Sequence, residues 1–169
     1  VLYLGALVPV KGFHLLAQAW PKVLGHRPDA CLQVAGTGKL YNEAAQLGSW
    51  NLAEMNYENM AIRPYLAGSD GEPLPSVKLL GKLGLEKFDY LRRATVGVVN
   101  PSGCSENCPG SALEIQACST PIVSGAYYGM LDTIRHGKTG LLGKTVDDLA
   151  ANICRILDDP CYAKRLGDN

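Results

Sequence analysis

Short apolar runs alternate with stretches in which apolar residues recur every three or four positions, and this alternation predicts strands leading into helices along the whole chain. Val1–Leu4, Cys31–Ala35, Val77–Leu80, Thr95–Asn100 and Pro121–Ser124 read as strands, with a last short one at Leu141–Leu142. Phe13, Leu16, Ala17, Trp20 and Leu24 fall on one helical face, which Pro21 is expected to kink by withholding one N–H. Further helices are predicted from Leu40 to Leu47, from Leu85 to Ala94, and from Gly129 to Arg135 with Gly137 ending it. Thr145 and Asp148 are spaced as a capping box, opening a helix whose Val146, Leu149, Ile153, Ile156 and Leu157 face the core. Ser49 to Ser76, interrupted by Pro64, Gly68, Gly71, Pro73 and Pro75, reads as a broken helix followed by a long surface loop. The order implies an α/β fold, a doubly wound parallel sheet with helices on both faces. The loops after Leu4, Ala35, Leu80, Asn100 and Val123 then share the carboxyl edge, where such sheets bind ligands.

At 169 residues the chain fits one domain. Sixteen basic and sixteen acidic residues cancel, which leaves no electrostatic footprint for nucleic acid, so any anion site has to be local. No apolar run approaches the roughly 18 residues of a transmembrane helix. Cys31, Cys104, Cys108, Cys118, Cys154 and Cys161 form no CxxC pair and have no histidine at zinc-ligand spacing, so they read as reduced thiols and no metal site is expected.

The loop and helix after the strand at Asn100 carry the most chemistry. Pro109 fits a first helical position, where its missing N–H costs nothing, and the next amides, of Gly110, Ser111 and Ala112, lie at the positive end of the helix dipole. That is a ready site for a phosphate. Glu114 is one turn beyond Gly110 on the same face, leaning back toward whatever those amides hold. A carboxylate beside a diphosphate is tolerated if it accepts from neutral donors, and a ribose cis-diol offers two. Glu106, in the loop above, is placed to do the same for a sugar hydroxyl.

The segment from Pro101-Ser102 through Glu106 and Glu114 to Pro121-Ile122-Val123 resembles the Glu-x7-Glu signature of retaining, GT-B-type glycosyltransferases of the family 4 group. The resemblance runs from Val1 to about Pro160 and covers the C-terminal, donor-binding half of that two-domain fold, a Rossmann-like unit. It implies a single nucleotide-sugar-binding domain over residues 1–169, excised from a larger protein and lacking its N-terminal acceptor-binding domain. Such a fragment binds donor without turning over, while the full-length parent transfers a hexose from a nucleotide diphosphate sugar to an acceptor with retention. Lys11, in Gly5-Ala6-Leu7-Val8-Pro9-Val10-Lys11-Gly12, takes the place of the family's phosphate-neutralising lysine, and Ala6 replaces its usual arginine. Gly36 and Gly38 would line the donor pocket, and Gly81 and Lys82 would lie near the nucleobase. Tyr128 and Asp132 depart from the family's downstream stretch, and His136-Gly137-Lys138-Thr139-Gly140 matches a structural turn.

The implied donor-binding set is therefore Gly5, Lys11, Gly36, Gly38, Gly81, Lys82, Glu106, Cys108, Pro109, Gly110, Ser111, Ala112 and Glu114, with Lys11 and Glu106 acting on the reaction itself. No cofactor is implied, and the expected location is cytoplasmic, or membrane-peripheral through the missing half. Two alternatives stand beside it: a nucleotide-sugar epimerase of the same architecture, and a binding module that has lost catalysis. Gly36-Thr37-Gly38-Lys39 is neither a Walker A loop nor a dinucleotide fingerprint, since Gln33, Leu40 and Tyr41 occupy positions those motifs need for other residues.

Overall fold

In the computed structural model, which describes residues 1–169, six parallel strands lie in the order β3-β2-β1-β4-β5-β6. They are β1 (Leu2–Leu4), β2 (Leu32–Ala35), β3 (Val77–Gly81), β4 (Gly97–Val98), β5 (Ile122–Gly125) and β6 (Gly140–Gly143). The chain runs outward from β1 to β3 and then crosses back to β4 on the other side of β1. The topological switch point therefore falls between β1 and β4, and a crevice opens above it. The strand expected over Thr95–Asn100 is two residues long, because Asn100 turns into the left-handed region at φ 37° and ends the pairing.

One face of the sheet carries α1 (Phe13–His26), α7 (Val146–Asp158) and α8 (Pro160–Asp168), with Phe13, Leu16, Trp20, Leu149, Ile153, Ile156 and Leu166 in a shared core. The other carries α4 (Lys87–Arg93), α5 (Gly110–Ala117) and α6 (Gly129–Thr133), which bury Leu91, Ala112, Ile115 and Met130 against Leu2 and Ile122. The capping box opening α7 forms as the spacing predicts, and Pro21 sits inside α1. Helix α8 was not foreseen, although Asp159 caps it by accepting from the Tyr162 amide and Pro160 opens it. No helix is long and apolar enough to cross a membrane.

One difference from the sequence reading lies between β2 and β3. No helix forms over Leu40–Leu47; that stretch runs as turns, and Leu40 and Tyr41 are exposed. The broken helix expected within Ser49–Ser76 forms as α2 (Met55–Tyr57), a π turn (Glu58–Ile62) and α3 (Arg63–Leu66), one run whose Tyr57, Ile62 and Leu66 enter the main core. Pro64 has no N–H to return to the preceding turn, and the ladder widens just before it, with the Arg63 amide donating to the Glu58 carbonyl. Glu58 is fully buried, and its carboxylate accepts from the amides of Trp50, Leu52 and Ala53 at 2.9, 3.1 and 3.1 Å. It fixes the turn over residues 50–53 that leads into the helical run.

Candidate functional site

Backbone hydrogen bonds lace the carboxyl edge together. Gly5 donates to the Ala35 carbonyl at 3.1 Å, Leu7 to Thr37 at 3.2 Å, Gly36 to Gly81 at 2.8 Å and Gly38 to Leu52 at 2.9 Å. Gly36 has to be glycine, since a Cβ there would stand 1.9 Å from the Gly5 carbonyl oxygen. The rim this makes is low, so the backbones of Gly5 and Gly36 form the floor of a groove.

Two cavities sharing Gly5, Leu40 and Ser111 make up that groove. One, of about 150 Å³, lies between Leu4, Ala35, Gly36 and Thr37 on one side and Lys82, Leu83, Lys87 and Glu114 on the other. Its neighbour, of about 210 Å³, is walled by Tyr3, Ala6, Lys11, Tyr41, Asn100, Glu106 and Gly110. At the waist between them is the start of α5. Pro109 is its N-cap, and the Ala112 amide donates back to the Pro109 carbonyl at 2.9 Å. That leaves Gly110 and Ser111 as the amides without a partner.

Each of the two glutamates is held by a lysine. Lys11 Nζ lies 2.7 Å from Glu106 Oε2, with side chains only 12% and 20% exposed, and Lys87 Nζ lies 2.6 Å from Glu114 Oε1. Lys11 is delivered by the 3-10 turn Pro9–Lys11 after β1, closed by Gly12 in the left-handed region. Glu106 is curled back toward it by successive positive φ angles at Asn100, Gly103 and Ser105. Asn100 Nδ2 donates to the same Glu106 oxygen at 3.1 Å and to the Cys104 carbonyl at 3.0 Å, while Ser102 Oγ donates to Asn100 Oδ1 at 2.8 Å. The Glu106 carbonyl accepts from the Gly129 amide at 2.8 Å, tying the loop to α6.

Two buried tyrosines and a half-buried histidine add hydrogen bonds around β1 and α1. Burial pushes the Tyr3 hydroxyl well above its ordinary value, so it stays protonated and donates to the Ala6 carbonyl at 3.0 Å. Tyr57, raised by burial to about 12, accepts from the His14 amide at 3.0 Å and faces His14 Nδ1 at 3.0 Å. Burial lowers His14 below its ordinary range.

Of the residues singled out from sequence, Gly5, Lys11, Gly36, Lys82, Glu106, Gly110, Ser111 and Glu114 line the groove. Gly38 packs instead against the backbone of Ala53 and Glu54, and Gly81 serves the rim through its carbonyl. Cys108 is exposed beside the groove, Pro109 is buried as the cap, and Ala112 is buried under the sheet's second face. Lys87, Asn100, Tyr3, Leu40 and Tyr41 were missed. Only Lys87 carried a signal, since a cation in the first turn of a helix opposes the dipole unless a carboxylate meets it. No group of three or more His, Cys, Asp or Glu side chains is gathered as a metal site.

A family model described as "Glycosyl transferases group 1" matches residues 1–159. A GDP-mannose-dependent monoacylated alpha-(1-6)-phosphatidylinositol monomannoside mannosyltransferase from Corynebacterium glutamicum is 31% identical over 95% of this chain and 38% of its own length. Among solved structures, sucrose-phosphate synthase from Thermosynechococcus elongatus overlays with a TM-score of 0.74 at 28% identity, covering 98% of this chain and 38% of that one. Anabaena HepE in complex with UDP-glucose gives 0.75 at 18% identity, over 99% and 41%. The chain thus spans about two fifths of the length of these relatives.

Proposed function

This chain belongs to the group 1 glycosyl transferases, and from that membership we propose that it is the donor nucleotide-sugar-binding half of a retaining hexosyltransferase. The observation that carries the proposal is one groove in which two unpartnered amides, of Gly110 and Ser111, stand between two lysine–glutamate pairs. That sequence of groups matches a nucleoside, a diphosphate and a sugar laid end to end. Base and ribose occupy the cavity at Lys82, Lys87 and Glu114, the diphosphate takes the waist, and the hexose lies against Glu106. A relative that uses GDP-mannose and a structural neighbour holding UDP-glucose support this class of ligand.

The chemistry follows from charge. An arriving diphosphate draws Lys11 away from Glu106, because two negative charges compete against one at similar distance. Lys11 and the α5 amides then stabilise the charge that grows on the departing diphosphate, and the freed Glu106 accepts from hexose hydroxyls and orients the ring. No cofactor enters this account. The acceptor and the rest of the cleft belong to an N-terminal half, so the 169-residue chain binds donor without transferring it. We place the parent enzyme in the cytoplasm, or at a membrane surface through its other half.

The test is calorimetric titration with UDP, GDP and ADP and their sugars, alongside Glu114→Ala. One nucleotide family binds, and the variant weakens it by about tenfold, as loss of a charged acceptor for two hydroxyls predicts. Absence of binding to all of them at millimolar concentration refutes the reading. A non-catalytic module is the second reading, favoured by Ala6, which is 3% exposed in the groove wall where the family's second cation would stand. A large gain in affinity on Ala6→Arg supports it.

A further inference from the structure

Lys87 opens α4 at its first position, where the helix dipole disfavours a cation, and its side chain is only 23% exposed. Its ammonium makes one hydrogen bond, to Glu114 Oε1 at 2.6 Å, and lies 5.2 Å over the Phe88 ring. The Glu114 carboxylate makes no other hydrogen bond, so Oε2 is unoccupied, and the residue lines the same cavity as Lys87. A glutamate on an exposed helix face has three rotatable bonds, and nothing except this ammonium holds its carboxylate over the cavity.

We propose that Lys87 is a positioning residue for donor recognition, fixing the Glu114 carboxylate over the nucleoside end of the groove and cancelling its charge. The inference rests on the donor-domain reading above and deepens it. A carboxylate offers about four acceptor positions, so one taken by Lys87 leaves room for both hydroxyls of a ribose diol. The pairing also makes the lip neutral. An uncompensated carboxylate one turn from the Gly110 and Ser111 amides would repel the diphosphate those amides attract, whereas a paired one does not. Lys87 acts through Glu114 and touches no phosphate, which separates it from Lys11 at the other end.

The experiment is a double-mutant cycle in this chain, read by NMR titration with UDP, GDP and ADP and with uridine, guanosine and adenosine. Lys87→Met weakens the parent nucleoside by about fivefold to tenfold and the diphosphate that binds by at least as much, since the unpaired carboxylate also repels it, and Lys87→Arg restores most of both. In a Glu114→Gln background, Lys87→Met changes affinity less than about twofold, because its partner is gone. Thermal unfolding is followed for each variant, since a tie that only braces α4 against α5 would lower the midpoint and leave affinity unchanged. Wild-type binding with unaltered affinity in Lys87→Met overturns the inference alone. A loss confined to the diphosphate, persisting in the Glu114→Gln background, also overturns it and makes Lys87 a phosphate contact. If the wild-type chain binds none of the six probes, the donor-domain reading falls and this inference falls with it.

Discussion

Replacing Glu58 with alanine removes the acceptor of three amides at once, and the structure gives the scale of the loss. The side chain is fully buried, and the Leu52 and Ala53 amides that point at it belong to residues 2% and 0% exposed. The third amide, of Trp50, is half-buried and can reach water once the carboxylate is gone. A buried amide left without a partner costs about 1–3 kcal/mol, so two of them with a partly rescued third destabilise the chain by about 3–5 kcal/mol. Against a typical total of about 5–15 kcal/mol that is a large fraction. Urea unfolding followed by far-UV circular dichroism measures it. Glu58→Gln falls between, because the amide keeps one oxygen but turns an NH2 group toward N–H donors. The loop after β2 feels the change too, since the Leu52 carbonyl holds the Gly38 amide at 2.9 Å. A destabilisation by Glu58→Ala below about 1 kcal/mol would refute this assignment of Glu58, showing that the 48–53 turn keeps its shape without the carboxylate.

Two further outcomes concern His14 and Gly36. His14 is held below its ordinary value of 6.5 by burial, so between the folded and unfolded values the unfolded chain binds more protons; stability is complete above about pH 6.5 and is lost as pH falls below it. His14→Gln flattens the thermal-midpoint profile between pH 7 and 5, and an unchanged slope would move the effect to another group. Gly36→Ala forces a Cβ to within 1.9 Å of the Gly5 carbonyl oxygen, so the rim has to spread and nucleotide affinity falls by at least about tenfold. A Gly36→Ala chain that binds as the parent does would show that this close approach plays no part in the groove.

What could be read from the chain and what could not divide along a physical line. Strands such as Leu32–Ala35 and Ile122–Gly125 are short apolar runs, and the capping box at Thr145 is a spacing of three residues, so both are encoded locally. The helical run Met55–Leu66 was blurred because its π turn places Tyr57, Ile62 and Leu66 at intervals of five and four, and the first interval breaks the helical period that pattern reading relies on. The helix expected at Leu40–Leu47 had adequate apolar spacing. It loses to other pairings: the Asn42 side chain takes the Ala44 amide, the Gln46 carbonyl accepts from the Met55 amide beside the Leu47–Glu54 bridge, and Leu40 is left facing the groove. The site divides in the same way. Lys11, Glu106, Gly110 and Glu114 sit in local motifs that announce their chemistry. Their pairing does not, because Lys11 meets Glu106 across 95 positions and Lys87 meets Glu114 across 27. Residues can be nominated by the company they keep in sequence, but the charge balance of the groove is decided by which loops the switch point brings together. Both glutamates are therefore already paired in the groove, and on the proposed reading a diphosphate has to break the Lys11–Glu106 pair to take Lys11.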